Sequence, residues 1–160
     1  KMKLFLIISD THGDLYKAKR VILQYPQING VIHLGDYCRD ARMLENQFKQ
    51  LEFHKVSGNC DFSVGMKDEE TLDIEGKKIL LTHGHNYHVK YGTERLESKA
   101  ADEGLDVVLF GHTHVPLLNQ TPSLLLLNPG SIGYPRGMSP PTYALLEISR
   151  DMVEARILNA

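Results

Sequence analysis

Gly111-His112-Thr113-His114 places two imidazoles one residue apart, directly after the apolar run Val107–Phe110. Glycine permits backbone angles and close approaches that a side chain would block, so this pair suits a tight turn closing a buried strand. Neutral imidazole is a common transition-metal ligand. Alone, the pair fits a surface turn better than a metal site. Four further blocks change that balance: Asp10-Thr11-His12, Gly35-Asp36, Gly58-Asn59-Cys60-Asp61 and Thr82-His83-Gly84-His85 each follow a short apolar run. Asp10, His12, Asp36, Asn59, His83, His112 and His114 are seven oxygen or nitrogen donors. One tetrahedral ion needs fewer. The set suits two divalent ions sharing a bridging carboxylate. It contains no thiolate and favours manganese, nickel, cobalt, zinc or iron, with manganese taken first.

Something must bring these blocks together. Lys3–Ser9, Gly30–Leu34 and Phe53–Ser57 read as short buried strands. Leu15–Tyr25 carries a helical apolar stripe and stops at Pro26. Asp40 is placed to cap a second helix running through Leu51. Strands alternating with helices imply βαβ units and a parallel sheet. The second half differs. Thr71–Ile74 and Lys77–Leu81 flank Glu75-Gly76 as a hairpin, and a helix covers Thr93–Glu103. Short β-like runs follow at Leu117–Asn119, Ser123–Leu127, Tyr143–Ile148 and Val153–Leu158. The pattern predicts a layered α/β sandwich. In α/β sheets the carboxyl ends of the strands form the ligand crevice, and five runs end there in metal-capable side chains.

Composition narrows the function classes. The 160 residues suit one domain with a proper core, residues 1–160. Net charge is −2 and no Lys/Arg block stands out, which argues against a nucleic-acid groove. Cys38 and Cys60 have no zinc spacing and suggest no disulfide scaffold. No signal peptide or membrane span is visible, so the cytoplasm is the default expectation.

The ordered set Asp10-x-His12, Gly35-Asp36, Gly58-Asn59-x-Asp61, His83 and Gly111-His112-x-His114 resembles the calcineurin-like metallophosphoesterase superfamily. Gly58-Asn59-Cys60-Asp61, Asn128-Pro129-Gly130-Ser131 and the short length resemble its small bacterial and archaeal phosphodiesterase branch. The resemblance runs from about residue 3 to residue 158. It implies a four-layer α/β/β/α sandwich. It implies one ion on Asp10, His12 and His114, another on Asn59, His83 and His112, and Asp36 bridging both. Asp61 is then expected to orient a ligand or a backbone loop. The implied reaction is hydrolysis of a small phosphodiester by a hydroxide bridging the two ions, with no protein nucleophile. Many relatives carry His where this chain has Cys60, and a neutral thiol is a poor general acid. His85 or His88 is the alternative source of a leaving-group proton. A homo-oligomer is implied by the branch alone.

Other readings compete at individual positions. Asp10 and Asp36 each suit a helix cap, and Asn59 suits a left-handed turn. His33 and His54 match no ligand slot and read as structural. Arg39 and Arg136 suit either a substrate phosphate or solvent. Asn128–Ser131 reads as a turn rather than an anion cradle. For the whole chain, the alternatives are a non-catalytic protein-binding scaffold on the same fold, as in the retromer scaffold subunit, or a phosphomonoesterase or protein phosphatase.

Overall fold

Successive side chains of strand β1 (Lys3–Ile8) point to opposite faces, and both faces are buried. Phe5 and Ile7 enter one core, Leu6 and Ile8 another. A strand buried on both faces must lie in the middle of a layered structure. The computed structural model describes residues 1–61 and 65–160 and shows those layers.

After β1 come α1 (Leu15–Leu23), β2 (Gly30–His33), α2 (Cys38–Gln47) and β3 (Glu52–Lys55). Then follow β4 (Glu69–Ile74), β5 (Lys77–Thr82), short 3-10 turns at His85–Tyr87 and Val89–Tyr91, and α3 (Glu94–Glu103). The chain closes with β6 (Val107–Leu109), β7 (Leu117–Gln120), β8 (Leu125–Asn128), β9 (Thr142–Ile148) and β10 (Val153–Asn159). One sheet is ordered β10-β9-β1-β2-β3, the other β4-β5-β6-β8-β7. Phe5, Ile7, Ile32 and Leu146 from the first pack with Ile79, Leu81, Leu109 and Leu127 from the second. The outer face of the first sheet packs on α1 and α2 through Ala18, Ile22 and Leu44. The outer face of the second packs on α3 through Leu96 and Ala100. The architecture is the expected α/β/β/α sandwich.

The register explains where function sits. β1, β2 and β3 are parallel, and so are β5, β6 and β8. The carboxyl ends of each trio therefore open at one edge of their sheet. The β4–β5 hairpin pairs Ile74 with Lys77, and Glu75 and Gly76 both have positive φ, as a type I′ turn requires. Two sequence expectations shift. Asp40 does not cap α2: Tyr37 holds the N-cap position, and Asp40 lies buried in the first turn. The helix ends at Gln47 rather than Leu51, because Phe48 turns to φ −119° and ψ 60°. Phe48 and Leu51 still reach the α1–α2 core from this non-helical stretch. Among the described residues no helix is long and apolar enough to cross a membrane.

Candidate metal centre

The turn after β1 presents Asp10 and His12, and the turn after β2 presents Asp36. From the other sheet, His83 follows β5, and His112 and His114 follow β6. The edges meet: His83 Nδ1 donates to the Leu34 carbonyl at 2.7 Å, and the His112 N–H donates to Asp10 Oδ2 at 3.3 Å. Asp10, His12, Asp36 and His114 each offer a ligand atom, all within 4.8 Å of one another. His83 Nε2 is 3.5 Å from Asp36 Oδ2 and 3.8 Å from Asp10 Oδ1. His112 Nδ1 lies 3.2 Å from His83 Nε2. The backbone bends hard to achieve this. Asp10, His12, Asp36, His112 and His114 have φ of 56°, 47°, 42°, 73° and 62°. Each left-handed non-glycine residue costs about 1–2 kcal/mol. Such conformations cluster at functional sites because the surrounding fold enforces them.

The donor chemistry calls for a cation. His114 Nδ1 donates to the Tyr134 carbonyl, so in the neutral ring Nε2 is an acceptor. That nitrogen faces Asp10 Oδ1 at 3.2 Å. His83 repeats the arrangement: its Nδ1–H is spent on Leu34, and Nε2 faces Asp36 Oδ2. Acceptors facing acceptors repel unless a positive charge lies between them. Asp10 Oδ1 and His12 Nε2 are also buried without a hydrogen-bond partner among the described residues. Backbone carbonyls that fix the tautomer of a ligating histidine are a recurrent support of metal sites. The residues fit a divalent cation.

Electrostatics agree. Burial opposes charge on Asp36, but the His83 imidazole and the Cys60 N–H outweigh it and hold the carboxyl below its ordinary range. Burial lowers His83, and Asp36 with Asp10 more than reverses this, so its pKa rises. The field that would hold a proton there would equally hold a metal. His12 is lowered by burial despite Asp10. His112 falls to about 4, first through burial and then through the His83 and Lys90 charges. Cys60 is pushed up to about 11 by desolvation and by Asp36, so it is a thiol at neutral pH.

A shell of hydrogen bonds holds the turns. Asp61 accepts from the backbone N–H of Asp36, Cys38 and Gly58, at 3.0, 2.7 and 2.7 Å. It touches loops, not the donor cluster. Gly58 packs so closely that a Cβ there would sit 2.1 Å from Asp36 Oδ1. A Cβ on Gly111 would meet Ser9 Oγ at 2.2 Å. Several supports were not legible as such in the sequence. Asn128 donates to the Gly111 carbonyl and to Thr113 Oγ1, bracing the His112–His114 turn. Ser131 Oγ donates to the Asp10 carbonyl at 2.7 Å. Asp40 accepts from Thr11 Oγ1 and from the Gly13 N–H. Only the turn-forming composition of Asn128–Ser131 hinted at any of this.

The remaining candidates fall into place unevenly. Asp10 and Asp36 are not helix caps: Asp14 caps α1, and no side chain caps α2. Asn59 sits in the turn whose Cys60 N–H donates to Asp36 Oδ1 at 2.9 Å. Asn59 is exposed, and its amide donates to Cys60 Sγ at 3.9 Å. His85 lies beside the cluster, its ring 5.5 Å from His83, with Nδ1 buried and unpartnered among the described residues. His88 is exposed. His33 is fully buried between the Gly35 N–H and Thr11 Oγ1. His54 pairs with Glu52 at 2.6 Å. Cys38 is buried against the Val56 carbonyl. Arg39 and Arg136 are exposed.

A model of the calcineurin-like phosphoesterase superfamily domain matches residues 2–151. The chain belongs to this family. It is 35% identical over 153 residues to a probable metallophosphoesterase, YsnB, of Bacillus subtilis, covering 94% of this chain and 88% of that one. It is 29% identical over 184 residues to the phosphodiesterase YfcE of Escherichia coli K12, covering 99% and 93%. Among solved structures, Vps29 of Entamoeba histolytica complexed with zinc superposes with a TM-score of 0.78 at 23% identity, covering 97% and 98%. That last likeness concerns the fold alone. Family membership makes the chain a phosphoesterase-type hydrolase with a candidate site for divalent metal.

Proposed function

We propose that this chain is a dinuclear, divalent-metal-dependent phosphodiesterase acting on a small phosphodiester. The observation that carries the reading is the crowding of acceptors at the meeting edges of the two sheets: Asp10 Oδ1 and His12 Nε2, buried and unpartnered among the described residues, face Asp36 Oδ2 and Nε2 of His83 and His114. Asp10, His12 and His114 would hold one ion, and Asn59, His83 and His112 the other. Asp36 would hold both. Two such ions supply an acidified water and charge to stabilise the phosphoryl transition state. Manganese is the first assignment, with nickel, cobalt, zinc and iron behind it.

The chain's own groups do the rest. Backbone carbonyls of Leu34 and Tyr134 orient the His83 and His114 rings. Asp61 fixes the Asp36 and Gly58 loops and acts as a positioning residue. His85 is the group we assign to the leaving oxygen, since its Nδ1 has no partner among the described residues and Cys60 stays a thiol. Diesters are preferred over monoesters in this reading, in keeping with the relative named a phosphodiesterase.

A scaffold reading draws on Val115, Leu117 and Leu118, which are exposed at and beside edge strand β7. Leu117 and Leu118 point to opposite faces of the strand, so they do not form one patch. The intact donor set favours hydrolysis. The test is turnover of bis(p-nitrophenyl) phosphate by metal-stripped protein after adding back manganese, nickel, cobalt or zinc separately. Metal-dependent diester cleavage exceeding that of p-nitrophenyl phosphate is expected. Faster monoester cleavage would replace the reading with a phosphatase, and no turnover with any ion would replace it with the scaffold.

A further inference from the structure

A substrate must enter where the cluster meets solvent. The His83 and His114 side chains are 0% and 3% exposed, whereas His12 is 21% exposed. The His12 edge is therefore an open side of the site, and its walls are aromatic. The Tyr37 ring lies 5.0 Å from the His12 ring, and the Tyr134 ring lies 6.0 Å from both His12 and His114.

Tyr134 is held in an unusual way for a loop residue. Its N–H donates to Ser131 Oγ at 2.7 Å, and its carbonyl accepts from His114 Nδ1. Ser131 in turn donates to the Asp10 carbonyl. The backbone of Tyr134 is thus tied to two of the proposed metal ligands, while the residue stays 61% exposed. Tyr37 directly follows Asp36 and is half-buried. Both rings are carried by the same turns that set the cluster, so the points where they join the backbone would lie at a set distance from a bound phosphorus. A rigid aromatic face costs little conformational entropy when a flat group stacks on it.

We infer that Tyr37 and Tyr134 form a stacking subsite for a planar aromatic group esterified to the substrate phosphate, so that the substrate class is an aryl or nucleoside phosphodiester. This deepens the phosphodiesterase reading and rests on it. Stacking selects for a π face and tolerates changes of base or ring substituent. Tyr134 is then a specificity-determining residue that contacts the ester group which does not leave.

Three diesters with one common leaving group test this: ethyl, phenyl and 5′-thymidyl p-nitrophenyl phosphate. Because each releases p-nitrophenolate, the demand on the leaving-group step is shared. The wild type, loaded with the metal that best supports turnover, is expected to show a KM about tenfold lower for the phenyl or thymidyl ester than for the ethyl ester. Tenfold corresponds to ~1.4 kcal/mol, within the range that base–aromatic stacking supplies. Tyr134→Ala is expected to abolish that preference, raising KM for the phenyl or thymidyl ester to that of the ethyl ester. Tyr134→Phe is expected to keep it. Whichever of phenyl and thymidyl loses more in Tyr134→Ala identifies the occupant as a directly attached ring or a base beyond a sugar. Saturation-transfer NMR on metal-stripped protein provides a readout without turnover: aryl or base protons receive saturation in the wild type and lose it in Tyr134→Ala. An unchanged preference in Tyr134→Ala, or equal KM for all three esters, would overturn the subsite. Failure of the wild type to cleave any of the three would instead overturn the phosphodiesterase reading.

Discussion

At the scale of single residues, the sharpest contrast lies between Asp36 and Cys60, which sit in adjacent loops. Asp36 Oδ2 faces both His12 and His83, so it is the carboxylate placed to serve two ions. Cys60 donates its backbone N–H to Asp36, and its thiol is protonated at neutral pH. Asp36→Asn is expected to lower metal-dependent diester turnover by more than about 100-fold, beyond the 10–100-fold usual for residues that merely support a metal ligand. Cys60→Ala is expected to cost less than about tenfold on an aryl diester, whose leaving group needs little protonation. Equal losses in a steady-state rate assay would contradict the bridging role. Most of these residues were legible in the sequence because donors clustered at strand ends. The close packing of Gly58 against Asp36 was not readable from the motif, because it depends on how the turn after β3 sits on the turn after β2.

At the scale of elements, the turns are the working parts, and their bracing is spread across the chain. The Gly35 N–H donates to His33 Nδ1, which leaves Nε2–H to donate to Thr11 Oγ1, and Thr11 donates onward to Asp40. This relay ties the β2 turn and the start of α2 to the Asp10–His12 turn. It needs a neutral imidazole, and burial lowers the His33 pKa to about 4 from an unfolded value of 6.5. Between those values the unfolded chain binds more protons than the folded one. Stability therefore falls as pH drops from about 6.5 to about 4 and levels off below, by on the order of 3 kcal/mol from His33 alone. In urea unfolding of metal-stripped protein, His33→Gln is expected to lose about 2–3 kcal/mol less than wild type between pH 7 and pH 4. Parallel pH profiles would remove His33 from the relay.

Glycine packing gives a second test at this scale. Gly58→Ala drives a methyl group into Asp36 Oδ1. It is expected to weaken metal-dependent turnover by about 10–100-fold, as loss of a ligand's support does, with the circular dichroism spectrum retained. Unchanged turnover would show that the β3 loop does not set the Asp36 position. None of this bracing could be read from spacing. Asp40 looked like a helix cap because capping is local, whereas its actual partners, Thr11 and Gly13, lie far away in the chain.

At the scale of the whole molecule, the sandwich turns two separate sequence patterns into one site. The alternation of buried side chains, with Phe5 and Ile7 inward and Leu6 and Ile8 outward, made the strands and their layering readable in advance. The two parallel trios then carry all the donor-bearing turns to one meeting edge, where Asp10 and Asp36 from one sheet face His83, His112 and His114 from the other. Neither sheet holds a complete donor set, so the inter-sheet core sets the geometry of the centre. How closely the edges approach was not readable, because it depends on the packing of Leu34 and Val56 against Leu81 and Leu109 rather than on any motif.

The central claim is that two ions share Asp36 across this inter-sheet edge. It is tested most directly by titrating metal-stripped protein with manganese while counting bound ions and recording electron paramagnetic resonance. The account predicts two ions per chain with an exchange-coupled spectrum, and loss of the coupling in Asp36→Asn. A single uncoupled ion per chain in the wild type, or a coupled pair that survives Asp36→Asn, would contradict it.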